Sequence, residues 1–285
     1  MRWTPGDKSS NIEDRRGSRG GFPIGAVGGG AGGLIILVLG LLFGGDIFGN
    51  GGSGGGAPVQ TSAGDVGPVQ ETAAEHKQVQ FVSFVLDDAQ GVWARTMPAL
   101  GARYHDAKLV LFRDITQSGC GTAQSATGPF YCPMDEKVYI DLGFMNELQT
   151  RFGASGDFAQ AYVLAHELGH HVQHILGTEQ RVRELMDSRP QQANALSVRL
   201  ELQADCYAGV WGRSTDQRGI LEQGDVDEGL RAAAAVGDDR LQKMTRGTVS
   251  PDSFTHGSSA QRASWFKRGF ESGDPKSCDT FAGAI

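Results

Sequence analysis

His166 and His170 stand four residues apart in the run His166-Glu167-Leu168-Gly169-His170. Residues four apart on an α-helix lie one turn above each other, so both imidazoles point the same way and can share one tetrahedral metal ion. Glu167 then sits beside the ion's open position, where a carboxylate serves as general base. The chemistry this spacing offers is that of a hydrolase holding one Zn2+ per chain. Catalytic zinc takes three protein donors and leaves a fourth position for water, so a third ligand must come from elsewhere in the chain.

His174 lies a further turn along the same face. Its Cα would stand about 12 Å from that of His166 on a straight helix, too far for zinc–nitrogen bonds of about 2 Å with His170 also bound. His171 points about 100° away from His170 around the helix. The extended motif with glycine three and histidine six residues after the second ligand is absent, since Gln173 and Leu176 occupy those places. Glu201 is the better candidate. It stands four residues before Asp205, so both acids share a helix face, with Glu201 as third ligand and Asp205 accepting the other ring N–H of a ligating histidine. The same pair beside Arg199 could also form an ordinary solvated face.

The elements that must position these residues are helical. Ala161, Tyr162, Ala165, Leu168, Val172, Ile175 and Leu176 recur at three- and four-residue steps, with Gly177 as a stop signal and Asp157 as expected N-cap. A second helix is expected over residues 191–212, a first over Phe81, Phe84, Val85, Ala89 and Trp93 ending before Pro98, and another over Ala260–Phe270. Lys108–Phe112 and Lys137–Leu142 read as strands. The segment Lys137–Asp141 is the candidate for a strand lining a cleft and pairing with an extended peptide. A core hairpin that never meets substrate is the competing reading.

His-Glu-Leu-Gly-His followed by Glu201-Leu-Gln-Ala-Asp205 resembles the glutamate-zincins, metallopeptidases whose third ligand is the first acid of a Glu-x-x-x-Asp helix. The Met1-Arg2-Trp3 start, Asn11–Gly17, Gly128-Pro129-Phe130-Tyr131-Cys132-Pro133 and Thr255–Arg262 resemble more closely one bacterial family of membrane-anchored neutral zinc metallopeptidases. The resemblance implies an α+β fold, mostly helical and zincin-like with a small β-sheet, and hydrolysis of peptide bonds in protein or peptide substrates. In that chemistry Glu167 accepts the proton of the activated water and returns it to the leaving amine. His256, in the Thr-His-Gly-Ser-Ser segment, is the candidate donor to the oxyanion, with Tyr207 as a second possibility. A zinc-binding assembly or scaffold protein without turnover is the alternative, and would need a fourth protein ligand such as His171, His174 or His256. Hydrolysis of a non-peptide amide, such as a cell-wall crosslink, would share the site.

The 285 residues include 42 glycines, which leaves one main domain and segments that build no core. Residues 1–21 read as a polar cytoplasmic tail with a basic excess. Residues 22–45 carry no charge before Asp46 and are long enough to cross a hydrocarbon core of about 30 Å as a single transmembrane helix. A removed signal segment is the competing reading, and both export the chain beyond residue 45. The Gly-, Ser- and Pro-rich stretch 46–72 reads as a flexible linker, and 73–285 as the metallopeptidase domain. The expected placement is the inner membrane, N-terminus inside and catalytic domain outside. A net charge of −7 argues against nucleic acid as a partner. Four cysteines without a Cys-x-x-Cys pair suit an oxidising compartment, with Cys120–Cys132 and Cys206–Cys278 as expected pairings.

Overall fold

The computed structural model describes residues 1–17 and 69–285. The predicted membrane span 22–45 and most of the predicted linker lie outside the described residues. Among the described residues, no helix is long and apolar enough to cross a membrane.

Helix α1 (Ala73–Thr96) opens on a capping box between Thr72 and Glu75, in which each side chain satisfies a backbone N–H of the helix start. Its buried face runs through Val79, Val82, Leu86, Ala89 and Trp93. It ends ahead of Pro98, as expected, in a short 3-10 turn, Met97–Leu100. A four-stranded sheet packs near it, in the order β1 (Ile12–Asp14), β2 (Lys108–Phe112), β6 (Lys137–Asp141), β5 (Phe130–Cys132). The first three strands are parallel and β5 is antiparallel to β6. A separate hairpin joins β3 (Ile115–Ser118) to β4 (Gly121–Gln124), and the Cys120–Cys132 disulfide ties its tip to β5.

Two sequence expectations change here. Lys137–Asp141 is not a cleft strand with a free edge: β6 lies between β2 and β5, so its backbone groups are used on both sides. The antiparallel edge strand is β5. Residues 1–17 are not a separate tail either. Ile12 pairs with Leu109 and Asp14 with Leu111, Arg16 is buried between Asp14 and Glu71 at 2.7 Å from each, and Lys137 bridges to Glu13 at 2.7 Å. The polar composition that suggested a tail belongs to ion pairs folded against the sheet.

Eight helices complete the described chain: after α1 come α2 (Leu142–Thr150), α3 (Asp157–Ile175), α4 (Thr178–Ser188), α5 (Ala193–Gln217), α6 (Asp225–Ala235), α7 (Asp238–Arg246) and α8 (Ser259–Ser272). The metal-motif helix α3 stops at Leu176 and the left-handed Gly177, as its sequence predicts. Its start differs from expectation. Gly156, at φ 114°, is the N-cap, and Asp157 is the first helical residue. The Asp157 carboxylate instead holds the Met1 ammonium at 2.8 and 2.9 Å, and Glu228 from α6 accepts the Phe158 N–H.

Three glycines set how closely the central helices pack. A Cβ at Gly209 on α5 would stand 2.1 Å from the Phe266 carbonyl, and one at Gly269 on α8 would stand 1.9 Å from that of Cys206. At Gly169 on α3 a Cβ would meet the Ala204 carbonyl of α5 at 3.0 Å. Backbones this close admit no side chain between them. The result is that α3 and α5 face each other along the stretches carrying His166–His170 and Glu201–Asp205.

Candidate metal centre

The α3–α5 approach turns three donors inward to one point. His166 Nε2 lies 3.2 Å from Glu201 Oε2, and His170 Nε2 lies 3.6 Å from Glu201 Oε1. The donor atoms of His166, His170 and Glu201 fall within 4.8 Å of one another. Donors bound at about 2.0–2.1 Å around a tetrahedral ion stand roughly 3.3 Å apart, so the separations and the two-nitrogen, one-carboxylate donor set fit a zinc ion. No other protein donor joins this cluster among the described residues; three protein ligands are the number that catalytic zinc sites use.

Each histidine is oriented from behind. His166 Nδ1 donates to Asp205 Oδ1 at 2.8 Å, so its Nε2 is the nitrogen available to a metal. Asp205 is fully buried and saturated with donors: Tyr162 Oη at 2.5 Å, Arg262 Nε at 2.8 Å and Arg262 Nη2 at 2.9 Å. Burial of Asp205 opposes its charge, but Arg262 and His166 outweigh it and hold the carboxyl below its usual range. His170 Nδ1 faces the Gln173 side-chain amide at 2.9 Å.

The electrostatics separate the two glutamates. Burial would raise Glu201, yet the surrounding His170, His256 and His166 hold it far below the ordinary carboxylate range, as an ionised ligand requires. Glu167, buried beside the donors, is shifted upward, chiefly by burial and against the pull of His166 and His170. A carboxylate raised in this way is suited to taking and returning a proton. Burial likewise opposes charge on His166, but Asp205 and Glu201 push its pKa up to about 10.

The remaining candidates fall in different places. His171 is fully buried, donates from Nε2 to the His105 carbonyl at 2.8 Å and accepts at Nδ1 from Tyr131 of β5 at 2.9 Å; burial drops its pKa to about 4, keeping it neutral. His174 is engaged by Glu179 at 3.0 Å and Glu136 at 3.5 Å. Neither shares the donor cluster. His256 precedes α8, its Nδ1 3.2 Å from Asp238 Oδ1, while Oδ2 of the same carboxylate accepts the backbone N–H groups of Thr255, His256 and Gly257. It stands close enough to Glu201 for the two charges to shift each other. Tyr207 is on the wrong face: its ring packs edge-on against Trp93 at 5.3 Å beside the Cys206–Cys278 disulfide. Six residues from Glu201 on α5 it points away from the metal face, so it drops out as an oxyanion donor.

Four side chains of the site were given no role in it from the sequence: Tyr162, Gln173, Gln203 and Arg262. Tyr162 and Gln173 carried a signal, lying four residues before His166 and three after His170 on the same helix. Arg262 and Gln203 reach the site only through tertiary packing.

A fold that pairs a two-histidine helix with a glutamate helix around three converging donors defines a zinc-peptidase-like centre, and the chain belongs to the family described as "Putative neutral zinc metallopeptidase", whose model matches residues 1–281. It is 50% identical over its whole length to the whole of a protein of Escherichia coli K12 called "Uncharacterized protein YpfJ". Over 70% of its length it is 45% identical to "Uncharacterized protein Rv2575" of Mycobacterium tuberculosis, covering 69% of that protein. No solved structure matches it.

Proposed function

We propose that this protein is a zinc-dependent endopeptidase of the glutamate-zincin type, with His166, His170 and Glu201 as ligands and Glu167 as general base. The observation that carries the reading is the convergence of two imidazole nitrogens and one carboxylate at tetrahedral spacing beside a buried carboxyl of raised pKa. His166, His170 and Glu201 would hold a zinc ion there, and it would supply a lowered pKa for a water and polarisation of a carbonyl. Glu167, a buried carboxyl beside the donors, is placed to take a proton from an attacking water and return it to the departing amine. His256, held by Asp238 near the Glu201 carboxylate, is the donor to the developing oxyanion.

The scaffold alternative needs a fourth protein donor, and the engagement of His171, His174 and His256 Nδ1 elsewhere, with none of the three in the donor cluster, argues against it. The two disulfides support an oxidising, extracytoplasmic location for the folded unit, with residues 1–17 on the same side as the metal helix because their strand pairs with β2. Labelling of cysteines introduced at exposed positions 8 and 243 of intact cells by an impermeant reagent tests that placement; protection of one and not the other would refute it.

Glu167→Gln tests the chemistry. It should keep about one zinc per chain and abolish release of new N-termini from a peptide library. Wild-type turnover in this variant would remove Glu167 from the mechanism.

A further inference from the structure

Gln173 sits three residues beyond His170 and is fully buried. Its amide makes three contacts. Nε2 lies 2.8 Å from the Leu200 carbonyl and 3.1 Å from Gln203 Oε1, and Oε1 lies 2.9 Å from His170 Nδ1. A carbonyl oxygen and an amide oxygen can only accept, so the NH2 of Gln173 must face both of them. Its oxygen is therefore the atom presented to His170, and because that oxygen only accepts, Nδ1 must carry a proton. A neutral His170 then has its bare nitrogen at Nε2, on the side of Glu201.

The direction of this chain is fixed at its far end. Gln203 Nε2 donates to the Cys278 carbonyl at 3.0 Å, so Gln203 must turn its oxygen to Gln173. Cys278 is buried and bonded to Cys206, three residues beyond Gln203 on α5. Reversing any amide in the series would set two acceptors against each other in a buried site, costing about 1–3 kcal/mol for each unsatisfied group.

We propose that Gln173 is the positioning residue of His170, and that Gln203 and the Cys278 carbonyl support it, holding His170 as the Nδ1–H tautomer with Nε2 turned to the metal. The neutral amide does for His170 what the Asp205 carboxylate does for His166. This inference rests on the metal-site reading above.

Two variants test it, Gln173→Leu and Gln203→Leu, each compared with wild type for zinc affinity by chelator competition and for the His170 tautomer by nitrogen-15 histidine spectra of the metal-free protein. Gln173→Leu should weaken zinc binding 10- to 100-fold and shift His170 toward the Nε2–H form. Gln203→Leu leaves the His170 contact in place but frees the Gln173 amide to turn, so it should show the same changes in smaller measure; it carries the test if Gln173→Leu does not fold. Zinc affinity within threefold of wild type together with an unchanged tautomer, in either folded variant, overturns the proposal. A wild-type protein that binds no zinc would instead refute the metal site itself.

Discussion

Replacing Gly169 with alanine adds one methyl group where α3 and α5 come closest. The new Cβ would stand 3.0 Å from the Ala204 carbonyl oxygen, 3.1 Å from its Cα and 3.3 Å from its Cβ. Comfortable carbon contacts begin at about 3.5 Å, so the helices must part by roughly half an ångström. Removing a glycine from a helix interior gains about 1 kcal/mol, while overpacking of this kind costs about 1–3 kcal/mol. The net loss of stability is therefore about 0–2 kcal/mol, and the variant should fold. Metal binding is less forgiving. Glu201 lies one turn before Ala204 on the helix being displaced, whereas ligand distances hold to about 0.2 Å. Zinc affinity should fall by about tenfold or more, out of proportion to stability. The assay pairs thermal unfolding of the metal-free variant with a zinc titration against a competing chelator. Affinity within threefold of wild type would refute the claim that this glycine sets the ligand geometry. Gly209→Ala gives the contrast: at 2.1 Å from the Phe266 carbonyl it should fail to yield folded protein at all.

Three further outcomes are expected. In metal-free protein the folded-state pKa of His166, about 10, exceeds the unfolded value of about 6.5, so its contribution to stability is complete below pH 6.5 and lost as pH rises toward 10; a flat melting temperature over that window would contradict the Asp205–His166 geometry. Opening the Cys206–Cys278 bond, which spans 72 residues, should cost about 4 kcal/mol and be read as a lowered denaturation midpoint in the Cys206→Ser, Cys278→Ser double variant; an unchanged midpoint would refute it. His256→Ala should retain zinc and lose about a hundredfold in peptide turnover, and a wild-type rate would remove His256 from the chemistry.

Local periodicity explains why so much of the centre was legible. A helix imposes its spacing on sequence, so His166, Glu167 and His170 could be placed on one face, and Glu201 with Asp205 on another, before any tertiary contact was known. The same logic placed β2 and the end of α3 at Gly177. What stayed hidden depends on contacts between distant segments. The three residues of β1 are too few and too polar to show alternation, and only pairing with Leu109–Leu111 makes them a strand. Strand order has no local signature either, which is why β6 was expected at a free edge of the sheet rather than between β2 and β5. Arg262 looked like one residue of a helix start, and its role appears only when α8 lays it against Asp205.

The attachment of residues 1–17 can also be described as a binding equilibrium. They add a strand to the edge of β2 and set an ammonium among Asp157, Asp225 and Glu222, much as a peptide ligand would dock by strand addition and terminal-amine capture. The domain thus carries its own ligand on the same chain, and that ligand grips the first turn of the helix bearing His166 and His170. A chain cut to begin at residue 69 is in this sense an empty receptor, with a bare sheet edge prone to association and three carboxylates, the buried Asp225 among them, lacking their cation. A synthetic peptide of residues 1–17 should bind that receptor and restore its solubility.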